Sequence, residues 1–192
     1  MAALPDDALE AALHLARCLE AAGLPYAIGG ALAYGQYGIP RATHDVDLNA
    51  FVEPPRLGEV IATLERAGVT VDAPRALREA AEQGLFIGHL GDLRIDVFTP
   101  SIEFSWEALR TRVQLAVGGE DFWFLSAEAL SVFKLLFFRS KDIADLERLV
   151  AVHGTKMDLP YVRRQIAEVM GEEDPRTQTW ERLVREFATP GP

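Results

Sequence analysis

Residues 44–52 read His-Asp-Val-Asp-Leu-Asn-Ala-Phe-Val, and the start of this stretch alternates in polarity. Val46 and Leu48 fall on one side, and Asp45 and Asp47 fall on the other. Because successive side chains of a β-strand point to opposite faces, the spacing predicts a strand with an apolar inner face and two carboxylates on its outer face. Along such a strand the two aspartates are about 6.5–7 Å apart.

The aspartate pair is a candidate metal site. Two neighbouring carboxylates repel each other, and neither favours leaving water. A divalent cation between them removes both difficulties, and Mg²⁺ prefers carboxylate oxygen. The alternative for Asp45 and Asp47 is an ordinary exposed strand face, which is the more common outcome for an isolated Asp-x-Asp.

A third aspartate lies in a second strand candidate, residues 93–98. Its sequence, Leu-Arg-Ile-Asp-Val-Phe, alternates in the same way and places Asp96 between apolar neighbours. If the two strands are adjacent, three carboxylates converge. A two-metal phosphoryl-transfer site needs such a set, because one ion activates the attacking oxygen and the other holds the triphosphate. The alternative is a surface aspartate paired with Arg94.

Glycines and cations flank these strands. Gly29 and Gly30 stand between a strand candidate, residues 26–28, and a helix candidate, residues 31–37. Glycines allow the backbone to approach a phosphate closely, and a helix N-terminus offers free N–H groups. The pair could also be a simple turn. Arg41 precedes the aspartates and could contact phosphate.

Lys134 lies in a helix candidate, residues 127–138, that is apolar on nearly all sides. A lysine there needs a partner or must extend its amine to water. A triphosphate or an active-site carboxylate would serve as that partner. Asp142 and Asp145 follow on one helical face. They could pair with Arg139 or Lys141, cap the helix or reach the active site.

Length and composition indicate one core with a helical appendage. The chain has 192 residues, of which 49% are hydrophobic and 25% charged, with a single cysteine and a net charge of −10. This acidity disfavours non-specific binding to nucleic acid or a membrane surface. Near the N-terminus there is no apolar export signal, and the longest uncharged stretch, residues 21–40, is broken by glycines and prolines. We therefore expect a cytoplasmic protein without a membrane partner.

The remaining patterns predict an α/β (α+β) fold, a mixed β-sheet core flanked by helices with a helical C-terminal part. Two hairpin candidates join residues 85–90 to 93–98 and 113–117 to 122–125 through glycine-containing turns. Four helices follow, at about residues 127–138, 141–152, 159–170 and 176–187. We divide the chain into a core, residues 1–125, and a helical part packed on it, residues 126–192.

Taken in their order along the chain, the glycine pair and the aspartate motifs resemble those of the nucleotidyltransferase superfamily related to DNA polymerase beta. The resemblance is carried by Gly29–Ala33, Arg41–Leu48 and Arg94–Phe98. Lys134 with residues 139–146 looks like the AbiEii-type branch of abortive-infection toxins. The similarity covers about residues 24–150, and one departure is Ala31, where the superfamily often has serine.

The resemblance implies Mg²⁺, as two ions with Mn²⁺ as an alternative, and an NTP such as ATP in a cleft against the helical part. It assigns Asp45 and Asp47 to the metal, and Asp96 to the metal and to activation of the acceptor. Its remaining site residues are Gly29 and Gly30 for phosphate, Arg41 and Lys134 for the nucleotide, and Asp142, for which Asp145 is a substitute.

The expected activity is transfer of a nucleoside monophosphate to an acceptor hydroxyl with release of pyrophosphate. A toxin-like enzyme acting on RNA, such as a tRNA end, and paired with an antitoxin ranks first. A small-molecule, antibiotic-type acceptor ranks close behind, and a non-catalytic nucleotide- or protein-binding module is the third reading. Arginines of the last helices, Arg163 and Arg164 among them, either form a basic RNA surface or pair with nearby glutamates.

Overall fold

The computed structural model describes residues 5, 7–38 and 40–188, which divide into two compact units. The first contains the chain up to Leu32 together with Ala42–Leu125, and the second contains Ala33–Arg41 and the chain from Ser126 onwards. The sequence-based division placed residues 33–41 with the core. They group with the second unit because their side chains have partners there: Tyr34 with Lys134, Tyr37 with His153 and Arg41 with Asp145.

The first unit is built on a six-stranded mixed sheet. Its strands are β1 (Tyr26–Ile28), β2 (Asp45–Ala50), β3 (Leu85–Leu90), β4 (Leu93–Phe98), β5 (Val113–Val117) and β6 (Glu120–Phe124). Their order is β3-β4-β2-β1-β6-β5. The pairs β2–β4 and β1–β6 are parallel, and the other neighbours are antiparallel. The predicted fold class, a mixed sheet flanked by helices, is confirmed.

Five helices begin in the first unit: α1 (Ala8–Ala21), α2 (Gly30–Tyr37), α3 (Leu57–Arg66), α4 (Ala73–Gln83) and α5 (Glu103–Thr111). A 3₁₀ turn, Pro54–Arg56, precedes α3, and α2 continues into the second unit. The α4 helix begins directly after Asp72, because Asp72 caps it and its first turn tolerates a proline. The α5 helix escaped prediction, since only Phe104 and Ala108 give its buried face a helical apolar spacing.

The second unit is helical, as predicted. It contains the end of α2 and then α6 (Ala127–Phe137), α7 (Ser140–His153), a 3₁₀ turn (Gly154–Lys156), α8 (Leu159–Met170) and α9 (Pro175–Phe187). The α6 helix contacts the three helices that follow it, and Trp180 of α9 is fully buried. Ser126 caps α6 through the backbone N–H of Ala129, and Phe138 ends it in the left-handed region at φ 55°.

In the part of the chain that the structure describes, no helix combines the length and the apolar character needed to cross a membrane.

Candidate active site

Three aspartates and one arginine form a block on one face of the first unit's sheet. In the parallel β2–β4 pair, Asp47 is the register partner of Asp96, and Asp45 is the register partner of Arg94. Register partners present their side chains to the same face, and neighbouring strands are about 4.8 Å apart. The block therefore holds three carboxylates and one guanidinium on two strands.

The opposite faces of β2 and β4 hold the block in place. Val46, Leu48, Ile95 and Val97 are almost completely buried. Because side chains alternate along a strand, burying these apolar groups turns the intervening charged groups outward. A one-residue slip of either strand would bury carboxylates, so the alternation that the sequence shows sets the position of the block.

Arg94 binds Asp96 with two hydrogen bonds. Its Nε donates to Oδ1 at 2.7 Å, and its Nη2 donates to Oδ2 at 3.3 Å. The hydrogen bond and the negative charge of Asp96 raise the pKa of Arg94, and the charges of Asp45 and Asp47 act in the same direction. The surface ion pair that the sequence offered as an alternative is thus present, and it lies within the aspartate cluster.

The glycine pair lies directly against Asp47. The backbone N–H of Gly29 donates to the carbonyl oxygen of Asp47 at 2.9 Å, which extends the β1–β2 pairing by one residue. Gly30 begins α2 at φ +52°, and a Cβ at this position would lie 1.7 Å from Asp47 Oδ2. The sequence left these glycines open as a phosphate-binding turn or a simple turn, and it did not indicate the steric contact with Asp47, which depends on the strand order.

The donor chemistry of the block suits a hard divalent cation, because carboxylate oxygens are the ligands that Mg²⁺ prefers. Within residues 5, 7–38 and 40–188, however, no group of three or more His, Cys, Asp or Glu side chains is arranged to hold a metal ion. Arg94 occupies the carboxylate of Asp96. Asp45, Asp47 and Asp96 would supply carboxylate oxygens to a metal, Asp96 after Arg94 releases it.

Lys134 is buried in the second unit and bound by carboxylates. Its Nζ donates to Asp145 Oδ2 at 2.6 Å and lies 3.7 Å from Asp142 Oδ1. Only 7% of the Lys134 side chain is exposed, so the alternative in which its amine extends to water is wrong. Nζ also lies 5.5 Å from the centroid of the fully buried Tyr34 ring, a neighbour that the sequence did not indicate.

The two carboxylates of α7 have different tasks. Asp142 caps the helix by accepting from the backbone N–H of Arg139, and it pairs with the Arg139 guanidinium at 2.6 Å. Asp145 binds Lys134 and also accepts from Arg41 at 3.3 Å. Of the two residues that the sequence left as alternatives, Asp145 is the one that joins Lys134 to Arg41.

Arginines of the last two helices are largely engaged with acids. Arg163 pairs with Glu172 and Glu181, and these contacts raise its pKa. Two more pairs, Arg176 with Asp174 and Arg182 with Glu186, lie on α9 or at its start. Of the two readings that the sequence allowed, these contacts favour pairing with acids over a free basic surface.

The chain is similar to known proteins both in sequence and in fold. Residues 8–183 match the model of a family described as nucleotidyl transferase of unknown function (DUF2204). The chain belongs to this nucleotidyl transferase family. No curated protein sequence matches it at a significant level. The family assignment confirms the predicted enzyme class, a nucleotidyltransferase, while closeness to the AbiEii-type toxins is not shown.

Two solved nucleotidyltransferase structures share the fold of this family member. The antibiotic-resistance factor ANT(2″)-Ia superposes with a TM-score of 0.55 at 18% identity, over 82% of this chain and 88% of its own. The lincomycin-bound lincosamide antibiotic adenylyltransferase LnuA superposes with a TM-score of 0.52 at 14% identity, over 78% of this chain and 98% of its own. At these identities the similarity establishes the fold.

Proposed function

We propose that this family member transfers a nucleoside monophosphate from an NTP to a hydroxyl group of a small molecule in a Mg²⁺-dependent reaction. The observation that carries the proposal is the pairing of Asp47 with Asp96 in register, with Asp45 on the same face and Gly30 in contact with Asp47. Three carboxylates close together on two short strands repel each other in the metal-free protein, and a bound cation would offset that repulsion.

Asp45, Asp47 and Asp96 would hold the metal. When bound, Mg²⁺ supplies positive charge for the triphosphate and lowers the pKa of the attacking hydroxyl. Asp96 would accept the hydroxyl proton after Arg94 releases it. The acceptor oxygen then forms a bond to the α-phosphorus, the bond between that phosphorus and the bridging oxygen breaks, and pyrophosphate leaves with the electron pair.

Gly29 and Gly30 would receive the phosphates. Gly30 is the first residue of α2, so the free N–H groups of the helix start lie beside Asp47. A helix N-terminus favours negative charge. Because Ala31 stands where the superfamily often has serine, backbone groups would have to make this contact with the phosphates.

The second unit carries a cationic group of its own. Lys134, Arg41 and Arg139 bring three positive charges to the two carboxylates Asp142 and Asp145. The Arg41 and Arg139 side chains are 38% and 54% exposed, so an anion in solution can reach them. We assign Lys134 the role of positioning these two guanidinium groups through the aspartates that it shares with them.

A small acceptor is favoured over RNA for two reasons. The net charge of −10 repels a polyanion, and arginines that would offset it are paired with acids. The fold is also that of enzymes whose names refer to antibiotics. The toxin-like alternative, with an RNA acceptor and an antitoxin partner, rests on the stretch from Lys134 to Leu146.

The test is incubation of the purified chain with each α-labelled NTP, Mg²⁺ and either total RNA or a panel of hydroxylated small molecules, including aminoglycosides and lincosamides. We expect pyrophosphate release and a labelled small molecule. Label in RNA would replace the acceptor class by the toxin-like one. Absence of pyrophosphate with every NTP and acceptor, while a nucleotide still raises Tm, would favour the binding module.

A further inference from the structure

Arg94 occupies an unusual place in the aspartate block. It is the register partner of Asp45, yet its guanidinium turns along its own strand and binds Asp96 through two donors. Asp96 is the more enclosed partner, with 16% of its side chain exposed against 47% for Arg94. The arginine can therefore move into solvent without disturbing the sheet, whereas the aspartate is held.

Arg94 stands between Asp96 and any cation that approaches the aspartates. Its guanidinium donates to both carboxylate oxygens of Asp96. Both Arg94 and a divalent cation need the oxygens of Asp96, so they compete for the same ligand. A cation arriving at Asp47 and Asp96 also meets the positive charge of Arg94, which opposes its binding.

We infer that Arg94 is the internal counter-ion of Asp96, and that it leaves Asp96 for the phosphates of the nucleotide when metal binds. The inference rests on the proposed function, since it takes Asp47 and Asp96 as metal ligands. A guanidinium suits this exchange because its fork of N–H donors matches a carboxylate and a phosphate equally well. Arg94 is thus a positioning residue in the metal-free enzyme.

The exchange makes metal and nucleotide binding cooperative. Without nucleotide, a cation must displace Arg94 into water and lose the two hydrogen bonds to Asp96. When a nucleotide is bound, its phosphates accept the hydrogen bonds of Arg94 and offset the free energy lost at Asp96. Mg²⁺ alone should consequently bind weakly to this chain, and a nucleotide should strengthen its binding.

The experiment measures binding of Mg²⁺ alone, by calorimetry, to the full chain and to Arg94→Gln. We expect Arg94→Gln to bind Mg²⁺ about tenfold more tightly than the unmodified chain, because a positive charge next to the site has been removed. In EDTA its Tm should fall, since Asp96 loses its counter-ion. Arg110→Gln removes an exposed arginine that is likewise paired with an acid, Glu107, and should leave Mg²⁺ affinity unchanged.

A double variant tests whether the gain in Mg²⁺ affinity depends on Asp96. The gain in Arg94→Gln should disappear in Arg94→Gln/Asp96→Asn, because the released ligand is gone. Mg²⁺ affinity that is unchanged or weaker in Arg94→Gln, or a gain that survives in the double variant, would overturn the inference. The pyrophosphate assay on the unmodified chain decides the proposed function separately, because that enzyme can turn over whatever Arg94 does.

Discussion

The Cα of Gly30 lies so close to Asp47 that a Cβ would stand 1.7 Å from the carboxylate oxygen Oδ2. The start of α2 therefore packs directly against the second aspartate of β2. Any side chain at position 30 would have to displace a carboxylate that we assign to the metal.

Gly30→Ala should lower the free energy of unfolding by about 2–4 kcal/mol, from backbone strain at φ +52° together with the steric overlap. Gly23→Ala is the matched control, because Gly23 also has a positive φ, +65°, but has no atom within 4 Å of its added Cβ. It should cost about 1 kcal/mol. Equal losses for the two variants in urea denaturation would show that Asp47 yields without cost.

Asp47→Asn should reduce nucleotidyl transfer by at least about a hundredfold, because one charged ligand is lost where charge develops. The same change should leave Tm in EDTA equal or higher, since it relieves repulsion between Asp47 and its neighbours. Asp121→Asn alters an exposed strand aspartate of β6 and should change neither quantity. Pyrophosphate release and thermal denaturation measure the two effects, and near-normal turnover in Asp47→Asn would contradict the assigned role.

Lys134→Met and Asp145→Asn should each destabilise the chain by about 3 kcal/mol, because each leaves a buried partner uncompensated. The double variant Lys134→Met/Asp145→Asn should cost less than the sum of the two single variants, which urea denaturation in a double-mutant cycle measures. Lys141→Met, on an exposed site of α7, should have almost no effect. Additive losses would mean that the 2.6 Å contact contributes no coupling.

Acid should destabilise the second unit through His153. Burial, with help from Lys156, lowers the pKa of His153 below 6.5, while Glu128 opposes the shift. Below pH 6.5 the unfolded chain therefore binds a proton that the folded chain does not, and stability falls as the pH drops through this range. His153→Phe should flatten the decline in Tm between about pH 7 and 5.5. His44→Gln, at an exposed position, should retain it.

Arg163→Ala/Arg164→Ala should leave RNA binding unchanged at both low and high salt. Arg163 already pairs with Glu172 and Glu181, so its charge is not free to neutralise phosphate. Fluorescence anisotropy with a labelled tRNA at 50 and 200 mM salt, concentrations over which phosphate contacts weaken strongly, measures this. Weaker and less salt-sensitive binding in the double variant would instead support the RNA acceptor.

Local sequence patterns determined much of the secondary structure and the face on which the carboxylates lie. The alternation around Asp45, Asp47 and Asp96 determined both strands and the face that carries the carboxylates, because a period of two is a property of neighbouring residues. The apolar spacing after residue 126 likewise predicted the four C-terminal helices. Helix α5 escaped because its two buried apolar residues are too few for such a pattern.

Contacts between distant residues were decided by the tertiary structure. Strand order made Asp47 and Asp96 neighbours, and it set Gly30 against Asp47, since pairing of β2 with β4 depends on the packing of the whole sheet. The sequence placed Lys134 in an apolar helix and required a partner for it. Only the packing of α6 on α7 selected Asp145, because two aspartates one helical turn apart are equivalent until a neighbouring helix approaches one side of them.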